Sequence, residues 1–310
     1  MAKRILITGA GGFLGSRLFE YFKDREGVEA IGVTHRELDI VDSLAVSAFI
    51  KAIQPNVVLH CAAISNTGHC EENPKLSDAV NVRGTANVAK ACRENGSRMV
   101  FMSSDQIYTG ADSLEPNREG EEHRPQNVYG KDKKRAENAM LTCMKDGIAL
   151  RLSWMYDYPT ENRVGSSNLL ANILKAAKEG ASLSFPVNDY RGITYVWEVV
   201  KNMEKAMELP GGIYNFGSEN RMNAYDTAVM FAGAAAGNSR LQSEAGSAIL
   251  RLPSGPAGNG GLIKKDMERF AASPRNLAMN TEKIRGQGIL FSDTAEGLKL
   301  CLEEYGKIGN

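Results

Sequence analysis

RILITGAGGFLG, residues 4–15, sets four glycines directly behind a short apolar run. Ile5, Leu6 and Ile7 read as a buried strand and Leu14 to Arg25 as a helix, so the glycines fall in the turn between them. Glycine reaches positive φ and carries no Cβ. Gly9, Gly12 and Gly15 can therefore supply a tight turn, a close approach of backbone to a pyrophosphate, and close packing of helix on strand. The spacing is G-x-x-G-x-x-G, with Leu14 standing where the more familiar G-x-G-x-x-G needs glycine. A helix beginning near Phe13 would aim the free N–H groups of its first turn, Phe13 and Leu14 included, and its positive dipole end at the phosphates. Placed between a first strand and a first helix, this turn is expected to cradle a dinucleotide.

Working outward, short β-rich runs alternate with helical patterns: VEAIGVT at 28–34, VVLHCAA at 57–63, MVFMSS at 99–104 and IALRLSW at 148–154. Helices are expected at 43–53, 76–95 and 128–144, long enough to return each strand parallel to the last. Near-continuous apolar strands fit a sheet covered on both faces. The expectation is an α/β fold: a Rossmann-type doubly wound parallel sheet whose ligand crevice opens at the carboxyl ends of the strands, with a smaller C-terminal lobe. Residues 1–160 are expected to form the dinucleotide-binding domain, with later returns near 190–217, and 161–310 mainly the substrate-binding lobe. Helices near 168–180 and 196–209, the run SLSF and the strand GIYNFG belong to that second half, and LPSGPAGNGG at 252–261 reads as a surface loop.

The totals exclude several classes. Thirty-seven basic residues balance 37 acidic ones, so nucleic acid is not an expected partner. No apolar run approaches the roughly 18 residues that span a bilayer, and the chain enters a strand at once, so no membrane association is expected and the location is read as cytoplasmic. Five cysteines without a CxxC pair do not suggest a disulfide framework or a zinc ribbon. His69 beside Cys70 lacks a third ligand at workable spacing, and no metal is expected.

The end of the second strand chooses the dinucleotide. A carboxylate there would bind the 2′-hydroxyl of NAD, whereas an arginine accommodates a 2′-phosphate. The residues are Thr34, His35 and Arg36, with Glu37 following. Arg36 favours NADP(H), with NAD(H) as the alternative. Asp39 and Ile40, in the next loop, are placed to meet the adenine. Ala62 and Ala63, at the end of the third strand, would let the cofactor lie close.

In VYGKDK, Tyr129 and Lys133 stand four apart and share one face of a helix. A phenol titrates near 10, too high for proton exchange at neutral pH, and a neighbouring ammonium is expected to lower it. Ser104, at the carboxyl end of MVFMSS, should face the same crevice and could hydrogen-bond a substrate carbonyl. Strand end, helix face and glycine turn then converge.

This combination resembles the extended short-chain dehydrogenase/reductase superfamily, whose Ser/Thr, Tyr-x-x-x-Lys and glycine-turn residues match Ser104, Tyr129, Lys133, Gly9, Gly12 and Gly15. Within it the chain looks most like the dTDP-4-dehydrorhamnose reductases, through SSDQIYTG at 103–110, NVYGKDKKRAE at 127–137, RLSWMYD at 151–157 and PRNLAMNTEKI at 274–284. The resemblance implies reduction by NADPH of the C4 keto group of a nucleotide-linked 4-keto-6-deoxy sugar, by a monomer or homodimer. Ser104, Tyr129 and Lys133 would be catalytic, and Asp105 is either a proton relay or a turn cap. Trp154, Arg275 and Asn276 would contact substrate, with core packing as the alternative for Trp154. Two departures stand out. Gln106 replaces the aromatic residue usual after the aspartate, and NDYRGITYV at 188–196 lacks the expected Pro-Thr pair and partly matches the Arg-rich stretch of nucleotide-sugar epimerases. The rivals are an epimerase or dehydratase with retained NAD, and a non-catalytic subunit resembling the β subunit of methionine adenosyltransferase.

Overall fold

The computed structural model of the chain describes residues 2–160, 163–165, 167–237 and 261–307. Its first half runs β1 (Lys3–Thr8), α1 (Phe13–Phe22), β2 (Val28–Val33), α2 (Ser43–Ile53), β3 (Val57–His60), α3 (Thr67–Glu72), α4 (Pro74–Ser77), α5 (Thr85–Asn95), β4 (Arg98–Ser104), α6 (Val128–Cys143) and β5 (Ile148–Leu152). The second runs β6 (Trp154–Tyr156), α7 (Leu169–Glu179), β7 (Leu183–Pro186), β8 (Asp189–Tyr190), β9 (Ile193–Tyr195), α8 (Val196–Ala206), β10 (Gly212–Phe216), α9 (Ala224–Ala236), β11 (Ile263–Asp266), β12 (Arg275–Asn276), α10 (Glu282–Arg285) and α11 (Thr294–Lys307). Six strands form one sheet in the order β10-β5-β4-β3-β1-β2, every pairing parallel. The chain starts one strand in from an edge, moves out to that edge as β2, then returns to β1's other side as β3. That reversal is the switch point at which a doubly wound sheet opens a crevice.

Both faces of the sheet are buried, which is why its strands read as unbroken apolar runs. Ile5 and Ile7 face a layer containing Leu14, Leu18 and Phe22 of α1 and Val199, Val200 and Met203 of α8. Leu6 points the other way, with Val46 and Ile50 of α2, Val88 and Cys92 of α5, and Ala136 and Met140 of α6. A third cluster gathers Tyr156 and Tyr158 with Leu170 and Ile173 of α7, Phe231 and Ala235 of α9, and Leu298 and Cys301 of α11.

Local chemistry fixes the helix starts. Asp42 caps α2 by accepting from the Leu44 and Ala45 amides, and Asn127 caps α6 by accepting from Gly130 N at 2.6 Å. The helix expected over 76–95 is three pieces, α4, a π-helical turn over Asp78–Gly84, and α5. There, a Cβ on Gly84 would come within 2.7 Å of Ile40, and Asn81 leaves the helix face to bond Ile64 on both its N–H and its carbonyl. The strand expected over 148–154 stops at Leu152. Ser153 breaks it, and Trp154–Tyr156 pairs instead with β9. The strand expected over 57–63 ends at His60, and Cys61 and Ala63 beyond it line the crevice. The loop expected at 252–261 lies outside the described residues except Gly261. None of the described helices is long and apolar enough to cross a membrane.

Candidate active site

Gly9 follows β1 with φ +68°, and a Cβ there would sit 2.7 Å from the Ala62 amide nitrogen. A Cβ on Gly15 would overlap the Gly9 carbonyl oxygen, so α1 can approach the turn only without one. The N-terminus of α1 has Gly12 as its cap, no side chain bonding its first-turn amides, and no acidic residue in that turn. These amides are a ready seat for phosphate oxygens. Gly9, Gly12, Phe13, Leu14, Gly15 and Ala63 line one wall of a cavity of about 700 Å³. A dinucleotide's pyrophosphate fits this glycine cradle.

The far wall carries the serine, tyrosine and lysine singled out from the sequence. Ser104 closes β4, and Tyr129 and Lys133 project from successive turns of α6, all three lining the cavity and all buried. Lys133 Nζ donates to the Met102 carbonyl at 2.8 Å and lies 5.6 Å from the centre of the Tyr129 ring. Burial lowers the Lys133 ammonium to about 8. The expectation that Lys133 draws the phenol down is overturned. Burial raises the Tyr129 hydroxyl, a hydrogen bond with Ser104 opposes that, and the Asp105 carboxylate adds to the rise. Tyr129 is thus held as a neutral phenol, a form that can donate a proton. Asp105 Oδ2 accepts from Arg191 Nη2 at 2.6 Å, and Oδ1 lies 3.4 Å from Ser104 Oγ.

A polar network underlies these residues. Glu137 of α6 takes the Arg151 guanidinium through both its oxygens, at 3.0 and 2.8 Å, and accepts from Ser103 Oγ at 2.6 Å. Arg151 Nη1 also donates to Tyr108 Oη, whose hydroxyl donates to Asn215 of β10. Both members of the ion pair are almost wholly buried. His60, at the end of β3, sits between the Thr8 and Thr85 hydroxyls, and burial lowers its imidazole to about 3.

Trp154 and Arg275 line the cavity. Arg275 is already paired with Asp189 through two hydrogen bonds of 2.8 and 2.6 Å. Asn276 does not reach the cavity: its amide donates to the Ser113 and Glu115 carbonyls and accepts from Ala278 N, pinning the 113–115 loop. Ala62 packs under Gly9 while Ala63 alone of the pair meets the cavity. Ile40 is a core residue against Gly84, and Asp39 accepts from Val41 N. Arg36 is exposed just after β2 and is not among the residues lining the cavity, and neighbouring Glu37 folds back onto Thr34 N and Oγ1 at 2.7 and 2.9 Å. Sequence reasoning missed Arg191, Asp189 and Gln106 as cavity residues. The signal for the first two was the departure NDYRGITYV itself, and for the third the missing aromatic after Asp105. Among the described residues no group of His, Cys, Asp and Glu side chains could hold a metal ion.

The chain matches the family model described as RmlD substrate binding domain over residues 3–306. It is 28% identical over 305 residues to dTDP-4-dehydrorhamnose reductase of Aggregatibacter actinomycetemcomitans, covering 96% of this chain and 97% of that protein. To methionine adenosyltransferase 2 subunit beta of Xenopus laevis it is 29% identical over 245 residues, 75% of this chain and 72% of that one. Its fold superposes with a TM-score of 0.82 on the crystal structure of dTDP-4-dehydrorhamnose reductase from Bacillus anthracis in complex with NADP, at 23% identity and covering 97% and 99% of the two chains. A glycine cradle, a serine at a strand end, and a tyrosine and lysine one helical turn apart thus sit in a chain that, end to end, belongs to the RmlD substrate-binding domain family.

Proposed function

We propose that this protein is an NADPH-dependent reductase of the C4 keto group of a nucleotide-linked 4-keto-6-deoxy sugar, as its reductase relatives' names imply. The observation that carries this reading is the meeting of Ser104, Tyr129 and Lys133 in the cavity that opens at the glycine turn. When bound, the nicotinamide cofactor supplies the hydride that reduces the carbonyl carbon. The first-turn amides of α1 seat its phosphates. Lys133, fixed by the Met102 carbonyl, is positioned to hold a ribose hydroxyl. Ser104 accepts from Gln106 N and donates to Asp105 Oδ1, a bond it can exchange for one to the substrate carbonyl oxygen. Tyr129, neutral before reaction, donates its proton to the oxygen as negative charge develops there, general acid help on the order of 10²- to 10⁴-fold. The proton that Tyr129 gives up is replaced from solvent, with Ser104 and the Asp105 carboxylate it bonds as the relay. NADPH is preferred over NADH because Arg36 is exposed just after β2 with no hydrogen bond or ion pair among the described residues, while the Glu37 carboxylate is engaged by Thr34.

The α7–α9–α11 cluster supports a substrate side of the cavity, to which Leu169, Thr227 and Arg191 contribute. The test is a panel of 4-keto sugar nucleotides with NADPH and NADH, read by loss of reduced nicotinamide absorbance, for the native chain and for Tyr129→Phe. The native chain should consume NADPH. The variant should lose at least 100-fold in turnover while binding NADPH as before. Full turnover by Tyr129→Phe removes the proton donor from this scheme, and no turnover by the native chain on any substrate favours a non-catalytic subunit.

A further inference from the structure

Arg191 lines the substrate side of the cavity, and the reductase scheme gives it no chemical role. It enters from the loop between β8 and β9, lies 5.3 Å from the centre of the Trp154 ring, and is only 14% exposed. A guanidinium offers five donors. Among the described residues its side chain makes one hydrogen bond, to Asp105 Oδ2, and its Nε is buried without a partner. Arg275, by contrast, is matched atom for atom by Asp189. Leaving that donor buried and unmet is costly unless another molecule meets it. The cavity is also unbalanced in charge, with Lys133, Arg191, Arg269 and Arg275 against Asp105 and Asp189. Asp105 adjoins Ser104, so Arg191 stands beside the reacting end of the cavity.

We propose that Arg191, braced by Asp105 and the face of Trp154, is a substrate-binding and specificity-determining residue that takes an oxyanion of the sugar nucleotide through its free amino group. The shared chemistry is an anionic oxygen pair matched by a planar fork, and it has two sources: the diphosphate bridge, or a carboxylate carried by the sugar. The inference deepens the sugar-nucleotide reading and rests on it. Asp105 plays two parts here. It orients the guanidinium, and its negative charge competes with the incoming anion.

That double role gives opposite signs to two variants. Arg191→Met keeps the length and the contact with Trp154 but removes charge and donors. Asp105→Asn still accepts from Arg191 but no longer neutralises it. Binding is measured by calorimetry, without turnover, using the nucleoside diphosphate alone, its glucose conjugate and its glucuronic acid conjugate, each as thymidine and uridine forms. NADPH affinity of every variant serves as the folding control. Arg191→Met should bind about tenfold or more weakly, and Asp105→Asn more tightly than the native chain. Weakening already seen with the diphosphate alone assigns the oxyanion to the bridge, and weakening confined to the glucuronic acid conjugate assigns it to the sugar. A merely structural pair predicts losses of the same sign in both variants, and that result, or native affinities for Arg191→Met, overturns the proposal. Should Arg191→Met fail to bind NADPH, Arg191→Lys, which keeps charge and loses the fork, should still show the loss, and native affinity there overturns the proposal equally. A native chain that binds NADPH but none of the nucleotide probes fails the sugar-nucleotide reading itself.

Discussion

Replacing Lys133 by Met should make the protein more stable at neutral pH while abolishing turnover. Lys133 is almost wholly buried, and burial takes its ammonium from 10.5 to about 8. At about 1.4 kcal/mol per tenfold change in proton affinity, the charged form is disfavoured in the folded chain by about 3.5 kcal/mol. Met fills a similar volume without charge but cannot donate to the Met102 carbonyl, a loss of about 1–2 kcal/mol. The variant should therefore gain about 2 kcal/mol at pH 7. Between pH 8 and 10.5 the folded native chain has lost the proton that the unfolded chain still carries, so native stability rises with pH across that window. The variant lacks this rise, and above it only the missing hydrogen bond remains. The stability difference should change sign, swinging by about 3 kcal/mol in urea titrations at pH 7 and pH 10.5. Groups common to both chains cancel in the comparison. A difference that stays constant with pH would refute the burial argument, and retained NADPH-dependent turnover would refute the role given to the amine.

Two further outcomes are expected. Arg36→Ala should raise KM for NADPH by about 10- to 100-fold, the worth of one charge-assisted phosphate contact, and leave KM for NADH unchanged; equal effects on both cofactors would place the 2′-phosphate elsewhere. Gly15→Ala drives a Cβ into the Gly9 carbonyl oxygen, so α1 must shift; the urea midpoint should fall by an amount worth about 1–3 kcal/mol, and NADPH affinity should drop at least tenfold. Unchanged binding in that variant would show that the glycine turn is not the phosphate seat.

What the sequence disclosed was what depends on near neighbours. β1, the glycine turn, the pairing of Tyr129 with Lys133 and the bounds of α2 are set by local periodicity, φ and capping, and all are legible in single stretches. Burial is a property of the whole fold, which is why the direction of the Tyr129 shift was misread: from spacing alone Lys133 is the nearest influence, whereas in the structure desolvation dominates and the amine has turned to Met102. Asn276 fails for the same reason. A polar residue in a reductase-like segment reads as a substrate contact until the loop at 113–115 is seen to claim its amide. Arg191 was hidden by distance, since Asp105 lies 86 positions away along the chain.

The Glu137–Arg151 pair, joined to Ser103, Tyr108 and Asn215, constrains how this protein can diverge. Removing either partner alone strands an ion in the interior at a cost of about 3–5 kcal/mol, a large share of a domain's total stability, whereas exchanging both for apolar side chains can be neutral. A lineage crossing from one state to the other must pass through a single substitution that selection discards. Descendants should therefore keep the two residues together or lose them together, so the helix bearing Tyr129 inherits its anchorage as a unit.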